Sequence, residues 1–235
     1  MAQRKSNRLA WGIAVTLVAI LLGAGGVLFA RLRPYWVARH RGLGANLEGA
    51  ALPGASLKEA WLIDANLKRA DLWHADLRGA FLHGADLRGA NLSGADLQDA
   101  MLGTDEKCRA VDLRGADLRH ANLQHVDLFQ ANLHGANLRD ADLRGARLAQ
   151  AKLNRARLAR ADLRDSDLRD ADLSQCLLTH ANLCGAKLSQ RYSGPPWSAV
   201  EARLTGAEVI GARYDRRTRW PAGFDPGRHG ALKVE

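Results

Sequence analysis

From Ala45 onward, apolar and polar positions recur with a period of five. Leu occupies position 47 and every fifth position to 102, restarts at 113, and continues every fifth position to 188, giving 28 Leu. Two residues before each Leu stands Ala in 24 of the 28 repeats, and the exceptions Val111, Val126, Ser166 and Cys176 are all small. Asp or Asn separates the two in 18 of the 28, as in Ala85-Asp86-Leu87-Arg88-Gly89. This period excludes both ordinary elements. Five residues of α-helix turn about 500°, so successive Leu would rotate by roughly 140° and share no face. In a continuous strand an odd step sends successive Leu to opposite sides. The pattern works only if each repeat contains a turn that resets direction. Ala and Leu then face inward together, the other three positions face out, and the chain winds into a stacked coil.

These residues carry a close resemblance to the pentapeptide-repeat family, over about three-fifths of the chain. The resemblance implies an all-β solenoid, a right-handed quadrilateral β-helix with four repeats per coil. The 28 repeats then make about seven coils, and at roughly 4.8 Å per layer the rod is about 35–40 Å long. A narrow four-sided coil holds one Leu per side beside a small neighbour. Burying each Leu contributes about 1.5–3 kcal/mol. Asp and Asn before Leu bond to nearby backbone and support turns. Gly stands two residues after Leu in 10 of 28 repeats, Gly49, Gly84 and Gly115 among them. That fits a tight corner, while side chains at the other 18 suggest that positive φ is not obligatory there.

A second pattern lies before the repeats. Leu9 to Ala30 is a run of 22 residues without a charge. As a helix it would span roughly 33 Å, against a hydrocarbon core of about 30 Å. Arg4, Lys5 and Arg8 precede it; Arg31, Arg33, Tyr35, Trp36, Arg39 and Arg41 follow. Basic and aromatic flanks fit the two interfaces of a bilayer. A cleaved signal peptide fits less well, because Leu28-Phe29-Ala30 lacks the spaced small residues of a cleavage site. The expected organisation is therefore a basic tail at 1–8, a transmembrane α-helix at 9–31, a basic linker at 32–44, the β-helix at 45–192, and degenerate repeats with a C-terminal cap at 193–235. Flanking charges nearly balance, so they leave the side occupied by the repeats open. Ala19…Gly23 and Gly26…Ala30 have the spacing of helix-pairing motifs, which makes a homodimer one expectation and chance in an Ala/Gly-rich span the other.

Two breaks interrupt the period. Leu102 to Leu113 is two repeats plus one residue, read as one degenerate side with a bulge or short loop at 103–110, where Cys108 could replace a Leu. After Leu188 the pattern fails at Ser193-Gly194-Pro195-Pro196-Trp197 and returns weakly as Ala202-Arg203-Leu204, Ala207-Glu208-Val209 and Ala212-Arg213-Tyr214. An open coil end exposes Leu and unpaired backbone, so a cap is required. Trp197, Tyr214, Trp220 and Phe224 are suitable lids.

With four repeats per coil, residues 20 apart stack. Trp61, Phe81 and Met101 are so spaced, each in the outward position before Leu where Asp or Asn is usual. Such a stripe is a candidate docking surface, with cover by the 103–109 segment or the linker as the alternative. The basic run Arg144, Arg147, Lys152, Arg155, Arg157 and Arg160 would encircle one coil as a solvated belt. His74, His83, His120, His125, His134 and His180 fall in scattered outward positions. Cys176 replaces a core Ala and should be buried, whereas Cys184 points out. No phosphate loop, metal-ligand motif or activated nucleophile emerges, and no cofactor is expected.

Composition alone misleads. Leu and Ala number 79 against 13 Val and Ile, which favours helix on propensity, yet most belong to the repeat core. The net charge of +9 suggests nucleic acid, but it divides into +7 over 1–44, −1 over 45–190 and +3 over 191–235. Most of the excess therefore flanks the apolar span, where it can meet anionic lipid, and nucleic acid is not an expected partner. Three Cys argue against a disulfide framework. The expectation is a single-pass, membrane-anchored, non-enzymatic solenoid, held in lipid by residues 9–31 and acting as a protein-interaction or structural scaffold. The family also contains DNA mimics that protect gyrase. That alternative needs a strongly negative rod, and the near-neutral repeats and the anchor disfavour it.

Overall fold

A computed structural model describes residues 37–38, 43–104, 109–190 and 200–235. Its architecture is a four-sided β-helix built from isolated parallel bridges. Each links the residue before Leu to its equivalent one coil on, as in Asn46 with Asn66 and Asn66 with Asp86. The step of 20 residues at five per repeat fixes four sides. The first face is the column through Asn46, Asn66, Asp86 and Asp112, the second that through Ala51 and Asp71, the third that through Ser56 and Asp76, and the fourth that through Trp61, Phe81, Met101 and Asp127.

One repeat accounts for all five of its backbone N–H groups. Leu47 donates to the Asn66 carbonyl of the next coil (2.7 Å), Gly49 to Lys68 (2.8 Å), and Asn66 back to Ala45 (2.9 Å). Ala50 donates across the corner to Leu47 (3.0 Å). The remaining donor is the residue after Leu, and the Asx carbonyl or carboxylate oxygen takes it. Arg88 N–H reaches Asp86 Oδ1 (3.3 Å), and Gln98 N–H reaches Asp96 Oδ1 (3.1 Å). The preference for Asp and Asn follows from this fifth donor, because an unpaired backbone N–H is costly wherever water is restricted.

All 28 repeat Leu are buried, the most exposed being Leu47 at 3%. The corners differ from the sequence expectation. Every two-residue corner of the 28-repeat array has positive φ at its second residue: 10 are Gly and 16 are not, including Arg69 (54°), His125 (56°) and Gln150 (60°). Positive φ is therefore obligatory and Gly is optional. A single residue in the left-handed region costs about 1–2 kcal/mol, which the turn hydrogen bond and the stacked ladder offset.

The first break is also different. Val111 N–H donates to Leu102 O (3.1 Å), the same bond that closes every other corner. Asp86 bridges Asp112 and Met101 bridges Asp127, steps of 26 rather than 20. No side is degenerate: six extra residues enlarge one corner, and the face sequence continues unbroken. Cys108 lies outside the described residues. The second break repeats the device. Ala202 N–H donates to Leu188 O (2.7 Å), and Asp172 bridges Arg203, a step of 31. Its base is a short antiparallel pair, β1 (Ser189–Gln190) with β2 (Val200–Glu201).

The weak repeats after 200 form an eighth coil, with Ala202, Val209 and Ala212 buried. On its third face β3 (Arg213–Tyr214) pairs in parallel with β4 (Leu232–Lys233), adding a last layer. Tyr214, Trp220 and Phe224 pack on the core as expected of lids; the Tyr214 and Trp220 rings lie 5.7 Å apart and Trp220 and Phe224 5.0 Å. Trp197 is outside the described residues. At the other end Ala38 is fully buried against the core. Among the described residues no helix is long and apolar enough to cross a membrane, and the expected span at 9–31 lies outside them.

Candidate functional site

The four faces share one backbone and differ in what they carry. On the first face the positions flanking Leu are polar through seven coils, from Asn46 and Glu48 to Asp172 and Ser174. The third is polar from Ser56 and Lys58 to Asn182, with Cys184 its one departure. The second carries Ala51, Pro53 and Trp73 in its first two coils and Ala159 and Leu177 further on, and Trp73 meets the His74 ring at 4.4 Å. The fourth is different: Trp61, Phe81 and Met101 stack before their Leu residues. Trp61 and Phe81 have ring centroids 5.2 Å apart. Trp61 is 62% exposed and Met101 43%.

The structure thus brings together all three residues expected from spacing, and it widens the strip. Ile63 and Phe129 lie on the same face in the column after Leu, both half-buried. Spacing by 20 missed Phe129 because the enlarged corner shifts it to 46 residues beyond His83. Trp61, Phe81 and Met101 also forgo the Asx bond to the next N–H, worth about 1 kcal/mol where it is made. Asp127 restores it below the strip, accepting from Phe129 N–H at 3.0 Å.

Both enlarged corners open on the edge between the fourth face and the first, because both follow the fourth-face Leu of their coils, Leu102 and Leu188. The first loop is tied back beside the strip. His83 Nδ1 contacts Gly103 O (2.8 Å), and the Arg109 guanidinium pairs with Asp64, two coils back. Gly84 lies beneath this tie, where a Cβ would collide with Asp64 Oδ1. Beside the first enlarged corner is an open cleft of about 500 Å³ whose lining includes Thr104, Gln130, Gln150 and Lys152.

The charges elsewhere are largely closed on themselves. In Asp-Leu-Arg repeats the guanidinium folds over Leu onto the preceding carboxylate, as in Asp76–Arg78 (2.8 Å), Asp86–Arg88 (2.7 Å) and Asp117–Arg119 (2.7 Å). Hydrogen bonding by Arg88 holds Asp86 down at about 2. The basic run does encircle the rod, and several members pair: Arg144 with Asp142, Arg147 with Asp127, Arg160 with Asp140. Such a surface presents little net field of either sign.

The remaining candidates are structural. Cys176 is buried, donates to Leu153 O (2.8 Å), and burial pushes its thiol up to about 12. Burial also raises Cys184. His74, His125 and His180 lie over the corner Gly of the next coil, where a Cβ on Gly145 would meet His125 Nδ1 at 2.6 Å. Among the described residues no cluster of His, Cys, Asp or Glu could hold a metal.

The profile described as pentapeptide repeats (8 copies) matches residues 43–72, 65–102, 107–145, 141–179 and 151–190. The chain belongs to the pentapeptide-repeat family. Solved members of similar fold include HetL, a pentapeptide repeat protein involved in heterocyst differentiation regulation from the cyanobacterium Nostoc sp., at 34% identity over 78% of this chain and 81% of that one, with a TM-score of 0.44. Another is QnrB1, a plasmid-mediated fluoroquinolone resistance protein, at 18% identity over 74% of this chain and 70% of that one, TM-score 0.47. A third is a pentapeptide repeat protein of the Arabidopsis thaliana thylakoid lumen, at 24% identity over 64% of this chain and 73% of that one, TM-score 0.26. No curated protein sequence matches the chain. As in any pentapeptide-repeat β-helix, the backbone here is generic, so particular function must reside in outward residues that depart from the repeat.

Proposed function

We propose that this pentapeptide-repeat protein is a membrane-anchored, non-enzymatic scaffold that presents its fourth face to a protein partner. The observation that carries the reading is the contrast between faces: Trp61, Phe81 and Met101 form one contiguous apolar strip on a rod whose first and third faces are polar. Exposed apolar strips rimmed by polar groups mark interaction surfaces. The uncharged run from Leu9 to Ala30, with its basic and aromatic flanks, supports the anchor. Cross-linking in native membranes followed by mass spectrometry tests the partner, comparing the parent chain with Trp61→Asp/Phe81→Asp. Adducts lost in a still-folded variant support the reading, and unchanged adducts reject it. Retention of the parent chain after alkaline carbonate extraction tests the anchor separately.

A further inference from the structure

We infer that the partner of the fourth face is a second copy of the same chain, docked strip against strip about a two-fold axis parallel to the rod. This rests on the anchored reading above and adds the identity of the occupant. The strip is slender. It runs from Trp61 to Phe129 across four coils, three spacings of roughly 4.8 Å or about 14 Å. The equivalent strip of a second copy has the same width, length and chemistry, which is the self-complementarity a two-fold contact requires.

Two copies held in one bilayer by the segment before Leu43 place their first coils at the same height. A two-fold axis along the rods then sets Trp61 beside Trp61, Phe81 beside Phe81 and Met101 beside Met101, with no search along the rod. Confinement to a surface raises the effective concentration of one strip near the other.

Charge permits this contact. A same-height arrangement normally sets like charges against each other, and unpaired like charges would oppose it. Two of the acids at the rim of this strip are neutralised within each chain, and Asp99, exposed at the corner before Met101, is not. Asp64 is held by Arg109, and Asp127 by Arg147 at 2.8 Å. The upper three coils of the face carry no Asp, Glu, Lys or Arg before or after Leu, and the His83 imidazole is itself tied to Gly103 O. The polar first and third faces offer no such match.

The test uses the full chain in native membranes. Phe81→Cys and Met101→Cys each lie on the proposed axis, so an oxidant should convert the chain to a disulfide-linked species of twice the monomer mass. Ser93→Cys on the second face and the unsubstituted chain, with its own Cys residues, should remain at monomer mass. Met101→Cys keeps the experiment decisive where Phe81→Cys fails to accumulate. Monomer at both strip positions overturns the inference. So does an adduct of any other mass at those positions, which would name a different protein and leave the proposed function standing. Release of the parent chain by carbonate removes the anchor, and with it the shared height on which the contact depends.

Discussion

The third and fourth faces have the same Leu beneath them and the same ladder through them. Leu77 N–H meets Asp96 O at 2.7 Å on the third, and Leu82 N–H meets Met101 O at 2.8 Å on the fourth. Yet the third carries Ser56, Asp76, Asp96 and Asn122 where the fourth carries Trp61, Phe81, Met101 and Asp127. The backbone is indifferent to the exchange. Stability therefore comes from the interior and the corners, and the outward column is free to carry function. Where that column abandons Asp and Asn for large apolar groups in three successive coils, folding gives no reason for the choice.

The comparison breaks most readily at the core. Leu77→Ala and Leu82→Ala, beneath the third and fourth faces, should each cost about 3 kcal/mol by chemical denaturation, since deleting a buried Leu side chain costs 2–5. Equal losses support an interior independent of face. A much smaller loss beneath the fourth would mean that its outer strip bears part of the fold.

Corners come next. Gly115 has φ of 65° and open space around it, whereas Gly145 has φ of 66° and lies under His125. Gly115→Ala should cost about 1 kcal/mol from conformation alone. Gly145→Ala should cost more, and His125→Ala in the same chain should remove the excess in a double-mutant cycle. Additive losses would show that the ring simply swings away.

Acid sharpens the electrostatic side of the contrast. Hydrogen bonds from Arg78, Arg88 and Arg119 hold Asp76, Asp86 and Asp117 below the ordinary carboxylate range, on the third, first and second faces. A carboxylate depressed in the folded state contributes its full stability above the unfolded value near pH 4 and loses it as pH falls towards 2. The denaturation midpoint should therefore be flat from pH 8 to 5 and decline between 4 and 2. Asp76→Asn/Asp86→Asn/Asp117→Asn keeps the Asx acceptors and should show a shallower decline; an unchanged slope would place the acid sensitivity elsewhere.

The smallest effect is the most pointed. Met101→Asn supplies an acceptor for the Gly103 N–H and should raise stability by about 0.5–1 kcal/mol, while weakening the proposed contact through the strip. A loss of stability would show that Met101 is there for the fold.

Much of this was legible beforehand. The period alone gives the inward Leu and Ala and the turn in every repeat, and the family resemblance adds the four sides whose 20-residue stacking lines up Trp61, Phe81 and Met101. Two features were hidden for physical reasons. Leu102 to Leu113 equals two repeats plus one residue, so counting suggests a lost side, and only the Val111–Leu102 bond reveals a swollen corner. Phe129 was hidden behind the same miscount. The corner conformation was masked because side chains such as Arg69 and Gln150 tolerate a left-handed residue at modest cost, so their presence did not exclude it. The apolar run at 9–30 is the clearest signal outside the repeats, and it rests on hydropathy and flanking charge.

Placing both insertions at a corner has a geometric consequence. Deleting one five-residue side would rotate every later coil by a quarter turn and spread the fourth-face residues around the rod. A loop grown at the corner, of six residues or of eleven, leaves the angular phase untouched. Phe129 consequently remains in line with the strip above it, and the far end of the rod keeps the same compass bearing as its N-terminal end. New sequence can be spliced at this edge without re-aiming anything downstream.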